Sequence, residues 1–360
     1  RSRGLGDVYK RQDVKVAMVS PYDYASPGGV TSHVSQLSKG LLKRGHDVHV
    51  LAPHSESFKP KHENPPLIPL GPSVPVPIGG SVARVSLSWW LSKKISRILE
   101  RESYDLIHVH EPLAPILPLV VLAHSKSVNI GTFHAYDDKC HVNSFGRLLV
   151  RRWQNKLHGS IAVSEAALSH VGSNPAMDLQ IIPNGVDIDH FASKCLPIRE
   201  LKDGKTNILF VGRLEKRKGV KYLIEAFLKL KWECPNIRLV VVGPGELDKE
   251  SQHMLGASNP EDILIAGRVS YNDLPKYYSS ADIFCSPATG SESFGIVLLE
   301  AMASRKPVVA SNILGYRSII KDREQGLLFD NKNCESLATA LKSIITVSYT
   351  HLTLPTNREV

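Results

Sequence analysis

The chain alternates short, continuous apolar runs with stretches in which apolar residues recur every three or four positions. Residues 14–20 form one such run, of the kind that makes a strand buried on both faces. A loop over 21–29 follows, and Val30, Val34, Leu37 and Leu41 then mark one face of a helix over 30–43. Gly45 ends that helix, and 46–52 reads as the next strand, which completes a βαβ opening. Further strands are predicted at 104–110, 128–133, 160–164 and 179–183. Residues 186–206 lack periodicity and read as a linker. The rhythm restarts with strands at 207–211, 238–242, 262–266, 282–286 and 307–310, and with helices over 220–230 and 337–345. The pattern predicts an α/β protein of two Rossmann-like doubly wound domains, 13–195 and 206–346, facing each other across a ligand cleft.

Composition adds bounds. With 42% apolar and 22% charged residues among 360, this is the makeup of a soluble two-domain protein. Five scattered cysteines, with no CxxC pair, read as core residues in a reducing, cytoplasmic setting. No secretory signal is visible, and the apolar run near 113–123 is broken by prolines and too short to span a bilayer. Residues 1–12 and 347–360 share no pattern with their neighbours and read as non-native tails. Without them (Arg1, Arg3, Lys10 and Arg11 against Asp7; Arg358 against Glu359) the net charge of +9 falls to +6. That excess still favours an anionic partner. No aromatic–basic module supports nucleic acid, and no GxGxxG supports a dinucleotide.

Candidate chemistry clusters where strands end. In the stretch 290–303, a polar loop with Ser291, Glu292 and Ser293 runs into an apolar helix carrying Glu300. Free N–H groups at that helix start suit a diphosphate. A carboxylate there fits a role in binding hydroxyls or stabilising developing positive charge; the alternative is a helix cap at Glu292 and Ser293 with a solvated Glu300. The loop 212–219 puts Arg213, Lys216, Arg217 and Lys218 after a strand, as a diphosphate clamp would. Gly243 and Gly245 follow the next strand, and Gly28 and Gly29 the first, each allowing close backbone approach. His108, His110 and Glu111 do not form a recognised metal-ligand set, so no metal is expected. His134 ends a strand, where doubly wound sheets hold ligands. In the amphipathic helix 87–102, Trp90, Lys93, Lys94, Arg97 and Arg101 share one face; it reads either as a solvated basic face or as a membrane contact.

Together, Pro27-Gly28-Gly29, Pro183-Asn184-Gly185-Val186-Asp187, the 212–219 loop and the Glu292/Glu300 pair with seven residues between them resemble the retaining family 4 glycosyltransferases of GT-B fold. Pro21-Tyr22, 80–84, His108 to Pro112, Gly131 to His134 and Lys139 are similar to the phosphatidylinositol mannosyltransferase branch. The resemblance implies retaining transfer of mannose from GDP-mannose to the inositol of an anionic phospholipid, at the inner face of the membrane. It assigns Gly29, Arg213, Arg217, Lys218, Gly243, Val269, Glu292, Phe294, Gly295, Ile296 and Glu300 to the donor. Among these, Arg213 and Lys218 offset charge on the leaving diphosphate, Glu292 holds sugar hydroxyls and Glu300 lies near the ribose. Tyr22, Arg84, His134 and Lys139 match acceptor-side positions, with His134 beside the transferred sugar, and Trp90, Lys93, Lys94 and Arg97 match a membrane-contacting helix. The family chain continues past residue 345 into a helix that crosses back to the first domain, so a less stable or poorly closed protein is expected here. A UDP-sugar with another lipid or soluble acceptor, and a binding remnant without transfer, are the alternatives. Neither the oligomeric state nor dependence on a divalent metal follows from the sequence.

Overall fold

The apolar runs become parallel strands, because residues such as Val16, Ala17, Met18 and Val19 are buried on both faces at once. The computed structural model describes residues 13–26, 28–55, 65–78, 81–86, 89–136, 152–171, 178–192, 195–258 and 262–346. The expected tails at 1–12 and 347–360 lie outside the described residues, as do Pro27 and Lys139.

The first half holds strands β1 (Lys15–Val19), β2 (Asp47–Ala52), β3 (Leu67–Pro69), β4 (Val74–Ile78), β5 (Ser81–Val85), β6 (Leu106–His110), β7 (Val128–Phe133), β8 (Gly159–Ala162) and β9 (Leu179–Ile181). Seven of them make a parallel sheet in the order β3-β2-β1-β6-β7-β8-β9. β4 and β5 form a separate antiparallel hairpin, where the proline-rich composition predicts loop with extended pieces. The hairpin leans on the first βα loop through a bridge between Tyr22 and Val85 and a bond from the Asp23 N–H to the Arg84 carbonyl, 2.9 Å.

The second half holds β10 (Thr206–Val211), β11 (Ile237–Val242), β12 (Ile263–Gly267), β13 (Ile283–Ser286), β14 (Val308–Ser311) and β15 (Leu327–Phe329), in the parallel order β12-β11-β10-β13-β14-β15. Both sheets reverse their winding direction at the first strand, between β1 and β6 and between β10 and β13. A crevice opens at such a switch point, beyond the carboxyl ends of the strands. The connecting segment 186–206 is partly packed: Phe191 and Leu201 are buried with Val186 and Ile198 against one face of the second sheet. Each sheet is covered on both faces by its own apolar clusters. A further cluster joins the halves, with Ala162, Val163 and Ala167 around Phe294. Among the described residues no helix is long and apolar enough to cross a membrane.

Candidate active site

The loop after β10 tightens into a 3-10 turn at Lys216–Lys218 and leaves it through Gly219, whose φ is +70°. A Cβ at Gly219 would lie 1.9 Å from the Pro287 carbonyl oxygen, so glycine is what lets this loop pack on the loop after β13. The same packing brings the cations to Glu292. Arg217 Nη1 pairs with Glu292 Oε1, and Lys218 Nζ lies 2.6 Å from that oxygen. Arg217 Nη1 also donates to the Ser291 carbonyl at 3.2 Å. Glu215 takes Arg213 at 3.0 Å and Arg217 at 3.1 Å. Burial alone would push the Glu292 carboxyl up, but Lys218 and Arg217 hold it below the usual carboxylate range. Burial lowers Lys218, with Glu292 opposing. Three cations therefore share two carboxylates, and the loop keeps a positive excess, which suits an anionic group.

Gly295, at φ +93°, precedes the helix Ile296–Ala303, and a Cβ there would meet the Tyr316 ring at 2.5 Å. Ile296 is the first residue of that helix, and Glu300 lies on its buried side. The Tyr278 hydroxyl donates to Glu300 Oε2 at 2.8 Å, and burial pushes the Glu300 carboxyl up to about 7. Gly243, at φ +146°, follows β11, and Val269 packs beside the second domain's core. The side chain of Phe294 turns instead to the first domain's apolar cluster.

Across the crevice, the loop after β1 carries Tyr22 and Asp23. Burial pushes the Tyr22 phenol up, with Glu111 adding to the shift and Arg213, from the opposite domain, opposing it. Asp23 is fully buried, accepts from the Ser73 hydroxyl and lies 3.4 Å from Arg84 Nε. Burial would raise the Asp23 carboxyl, but bonds from Ser55 and Ser73 outweigh it and hold it low. Arg84 Nε also donates to Ser73 Oγ at 3.1 Å, and Nη2 to the Ser73 carbonyl at 3.2 Å. The helix Gly29–Lys43 starts beside this loop, and a Cβ on Gly29 would meet nothing within 4 Å.

Four histidines gather at the carboxyl ends of β6 and β7. His108 stacks on His110 at 4.4 Å and His110 on His134 at 5.2 Å, while His33 sits edge-on to both His110 and His134. His110 Nδ1 and His134 Nε2 share a hydrogen bond of 2.9 Å. The His134 backbone N–H donates to Glu111 Oε1 at 2.5 Å, and burial raises the Glu111 carboxyl to about 7. Burial lowers His33 to about 4 and His108 to about 3, and holds His110 and His134 low as well, so the group is neutral at pH 7. Ring nitrogens of His33, His110 and His134 lie within 4.8 Å of one another, the one set among the described residues able to hold a metal ion.

The two halves meet over this ground. Arg268 Nη2 donates to the Ala25 carbonyl at 3.0 Å, and Gln36 Nε2 to the Tyr271 hydroxyl at 3.3 Å. A cavity of about 190 Å3 lies between Tyr136 of the first domain and Thr289, Glu292, Asn312 and Leu314 of the second.

Residues 27–190 match the family model for Glycosyltransferase Family 4, and residues 196–352 that for Glycosyl transferases group 1. The chain is 35% identical over 334 residues to a phosphatidyl-myo-inositol mannosyltransferase of Mycolicibacterium smegmatis, covering 92% of this chain and 85% of the relative. The chain belongs to the family 4 glycosyltransferases. The Mycobacterium tuberculosis protein of the same name is 36% identical over 319 residues, with coverage of 88% and 82%. Among solved structures, a Rickettsia africae glycosyltransferase superposes with a TM-score of 0.74 at 21% identity, covering 93% of this chain and 89% of that one. Anabaena HepE in complex with UDP and glucose also gives 0.74, at 20% identity, with coverage of 92% and 90%. These likenesses establish the GT-B fold.

Within this glycosyltransferase, Arg217, Lys218 and Glu292 come together on one wall, and Tyr22, Arg84 and His134 lie on the first domain. Trp90, Lys93, Lys94 and Arg97 lie apart from the crevice, on the helix Ser92–Glu102 and the turn before it. That helix buries Ile95 and Ile98 and exposes Lys93, Lys94 and Arg97; Trp90 is 67% exposed. Lys94 Nζ donates to the Pro69 carbonyl at 2.9 Å. Sequence reasoning missed Asp23 as the partner of Arg84, Glu215 as the partner of two cations, and His33. A histidine just past a helix's first turn carries no periodic mark of the ring group it joins.

Proposed function

We propose that this glycosyltransferase moves mannose from GDP-mannose to the inositol of phosphatidylinositol, with retention at the anomeric carbon. What carries the reading is the pairing of two unlike walls across one cleft. One offers a cation-rich loop with a buried carboxylate; the other domain offers a guanidinium held by a buried aspartate and a group of neutral histidines. A nucleotide diphosphate fits the first and an anionic lipid headgroup the second. Relatives named phosphatidyl-myo-inositol mannosyltransferase, alike over more than four fifths of their length, support this choice of donor sugar and acceptor.

In this reading Arg213 and Lys218 stabilise charge on the departing diphosphate, Glu292 holds sugar hydroxyls and Glu300 the ribose. Double displacement needs a free carboxylate at the sugar. Glu292 is taken by Arg217 and Lys218, Asp23 by Ser73 and Arg84, and Glu111 by the His134 backbone. With these three carboxylates engaged among the described residues, departure and attack on one face is the reading adopted. The bond from the anomeric carbon to the phosphate oxygen breaks, the bond to the inositol oxygen forms, and the hydroxyl proton passes to the leaving diphosphate. The surface of Trp90, Lys93, Lys94 and Arg97 lays the first domain on anionic lipid from the cytoplasmic side.

A donor panel tests the reading. GDP-mannose, UDP-glucose and UDP-N-acetylglucosamine are each offered with vesicles of phosphatidylcholine with and without phosphatidylinositol. Labelled lipid formed only from GDP-mannose, and only with phosphatidylinositol, is expected. Transfer from a UDP-sugar, or binding without transfer, would replace the reading by one of its alternatives.

A further inference from the structure

Four consecutive residues of the donor-side loop face in different directions, and two of them take part in packing on the other domain. Glu292 turns to Arg217 and Lys218. The next residue, Ser293, offers its carbonyl to the Ser164 hydroxyl of the first domain. Phe294 follows, 5% exposed, seated among Ala162, Val163 and Ala167 of the first domain, with Leu168 and Leu179 of that domain and Leu299 and Ile319 of its own alongside. Gly295 then lies against Tyr316.

The seat on the first domain is itself rigid. Ser164 is buried, and its hydroxyl oxygen also accepts the Ala167 N–H at 3.1 Å, fixing the start of the helix Glu165–Val171. That helix packs against the turn Leu314–Arg317. A Cβ on Gly315 of that turn would stand 1.9 Å from the Glu292 carbonyl oxygen, so the turn presses directly on the loop's backbone. Among the described residues, two further bonds run from the body of the first domain to the second, Arg268 to Ala25 and Gln36 to Tyr271, each a single contact at exposed or half-buried groups, while His190, Phe191 and Cys195 bond to the second domain from the end of the first. Water competes for such contacts, whereas a buried phenyl ring in an apolar seat resists separation.

We propose that Phe294, with Ser293 bound to Ser164, is the fulcrum on which the two domains turn, so that Ser164, Ala167 and Phe294 act as positioning residues for Glu292. Two residues from the fulcrum, Glu292 keeps its place against the first domain while the far contacts at Arg268 and Gln36 open and close. Donor affinity then depends on first-domain residues that touch no donor. The inference rests on the reading of Glu292 as the donor carboxylate.

The test uses the full chain and the variants Phe294→Ala, Phe294→Leu, Ser164→Ala and Ser164→Thr. Calorimetric titration with GDP-mannose and, separately, UDP-glucose gives donor affinity, and small-angle scattering of the ligand-free protein gives domain arrangement. Phe294→Ala is expected to weaken binding about tenfold, the size of an ordinary coupling between sites, and to broaden the distribution of interatomic distances. Ser164→Ala is expected to weaken binding about fivefold, as for one lost hydrogen bond. Phe294→Leu and Ser164→Thr, which keep an apolar plug and a hydroxyl, stay within about threefold of the parent on the same scale. Donor affinity and scattering unchanged in both Phe294→Ala and Ser164→Ala overturn the proposal. If Phe294→Ala does not fold, Ser164→Ala and Ser164→Thr decide it alone. If the parent binds neither nucleotide sugar, the donor reading falls, and scattering still decides the fulcrum: a broadened distribution supports it and an unchanged one overturns it.

Discussion

Glu300→Gln should make the ligand-free protein more stable at neutral pH while weakening its hold on nucleotide. Glu300 is 5% exposed and, among the described residues, its hydrogen-bond partner is the Tyr278 hydroxyl, at 2.8 Å. Burial raises its carboxyl from 4.5 to about 7 in the folded state. The folded protein therefore binds the proton more tightly than the unfolded chain. The contribution of this group is fully present below pH 4.5 and is lost as pH rises through 7. A shift of that size corresponds to about 3 kcal/mol. Glutamine keeps the shape and still accepts from Tyr278, but never ionises. Urea unfolding of the two proteins should coincide near pH 4.5, diverge above it, and differ by about 3 kcal/mol in favour of the glutamine form at pH 8. A parent as stable as, or more stable than, the variant at pH 8 would refute the reasoning, because it would mean that the buried carboxylate has a cationic partner. In the functional reading the variant also loses charge-assisted bonds to the ribose, so its affinity for GDP should fall about tenfold.

Three further outcomes follow from the same geometry. Glu292→Gln releases Lys218 and Arg217 to a diphosphate, so calorimetry should show GDP bound about tenfold more tightly, while transfer falls about a hundredfold with the lost hold on the sugar; GDP affinity falling in step with transfer would contradict this. Gly219→Ala puts a Cβ on the Pro287 carbonyl at φ +70° and should destabilise by more than about 3 kcal/mol, whereas Gly40→Ala, on a helix and with nothing within 4 Å, should stabilise by about 0.5 kcal/mol; denaturant midpoints measure both. Removing two exposed cations in Lys93→Ala/Arg97→Ala should weaken flotation with phosphatidylinositol vesicles about tenfold or more and leave binding to phosphatidylcholine alone unchanged.

How much was legible in the chain depended on what kind of contact each residue makes. Strands buried on both faces announce themselves as apolar runs between glycines and prolines. The run at 128–133 coincides with β7, and most of the others lie within two residues of their strands. The hairpin of β4 and β5 gave no such signal, because it alternates Val74, Val76 and Ile78 with prolines and is open to solvent at Val74. Arg84, on that hairpin, was therefore reachable only through resemblance, and its carboxylate partner not at all, since Asp23 is 61 residues away in sequence. The loops 212–219 and 290–295 stand out in the sequence as candidate anion sites because glycines, cations and helix starts sit together. Their pairing does not: that Glu292 meets Lys218 depends on two strand ends lying side by side in the sheet. Phe294 shows the limit most plainly. Two residues from Glu292, it reads through the resemblance as a donor contact, and nothing in the sequence marks that its ring packs with Ala162, Val163 and Ala167 of the other domain.

The most direct measurement is the structure of the lipid product formed from GDP-mannose and phosphatidylinositol vesicles. The account predicts a mass increase of one hexose on the inositol headgroup, an anomeric one-bond carbon–proton coupling of an α-linkage, and no product with Glu292→Ala. A β-linked product, or full yield from the Glu292→Ala protein, would contradict it.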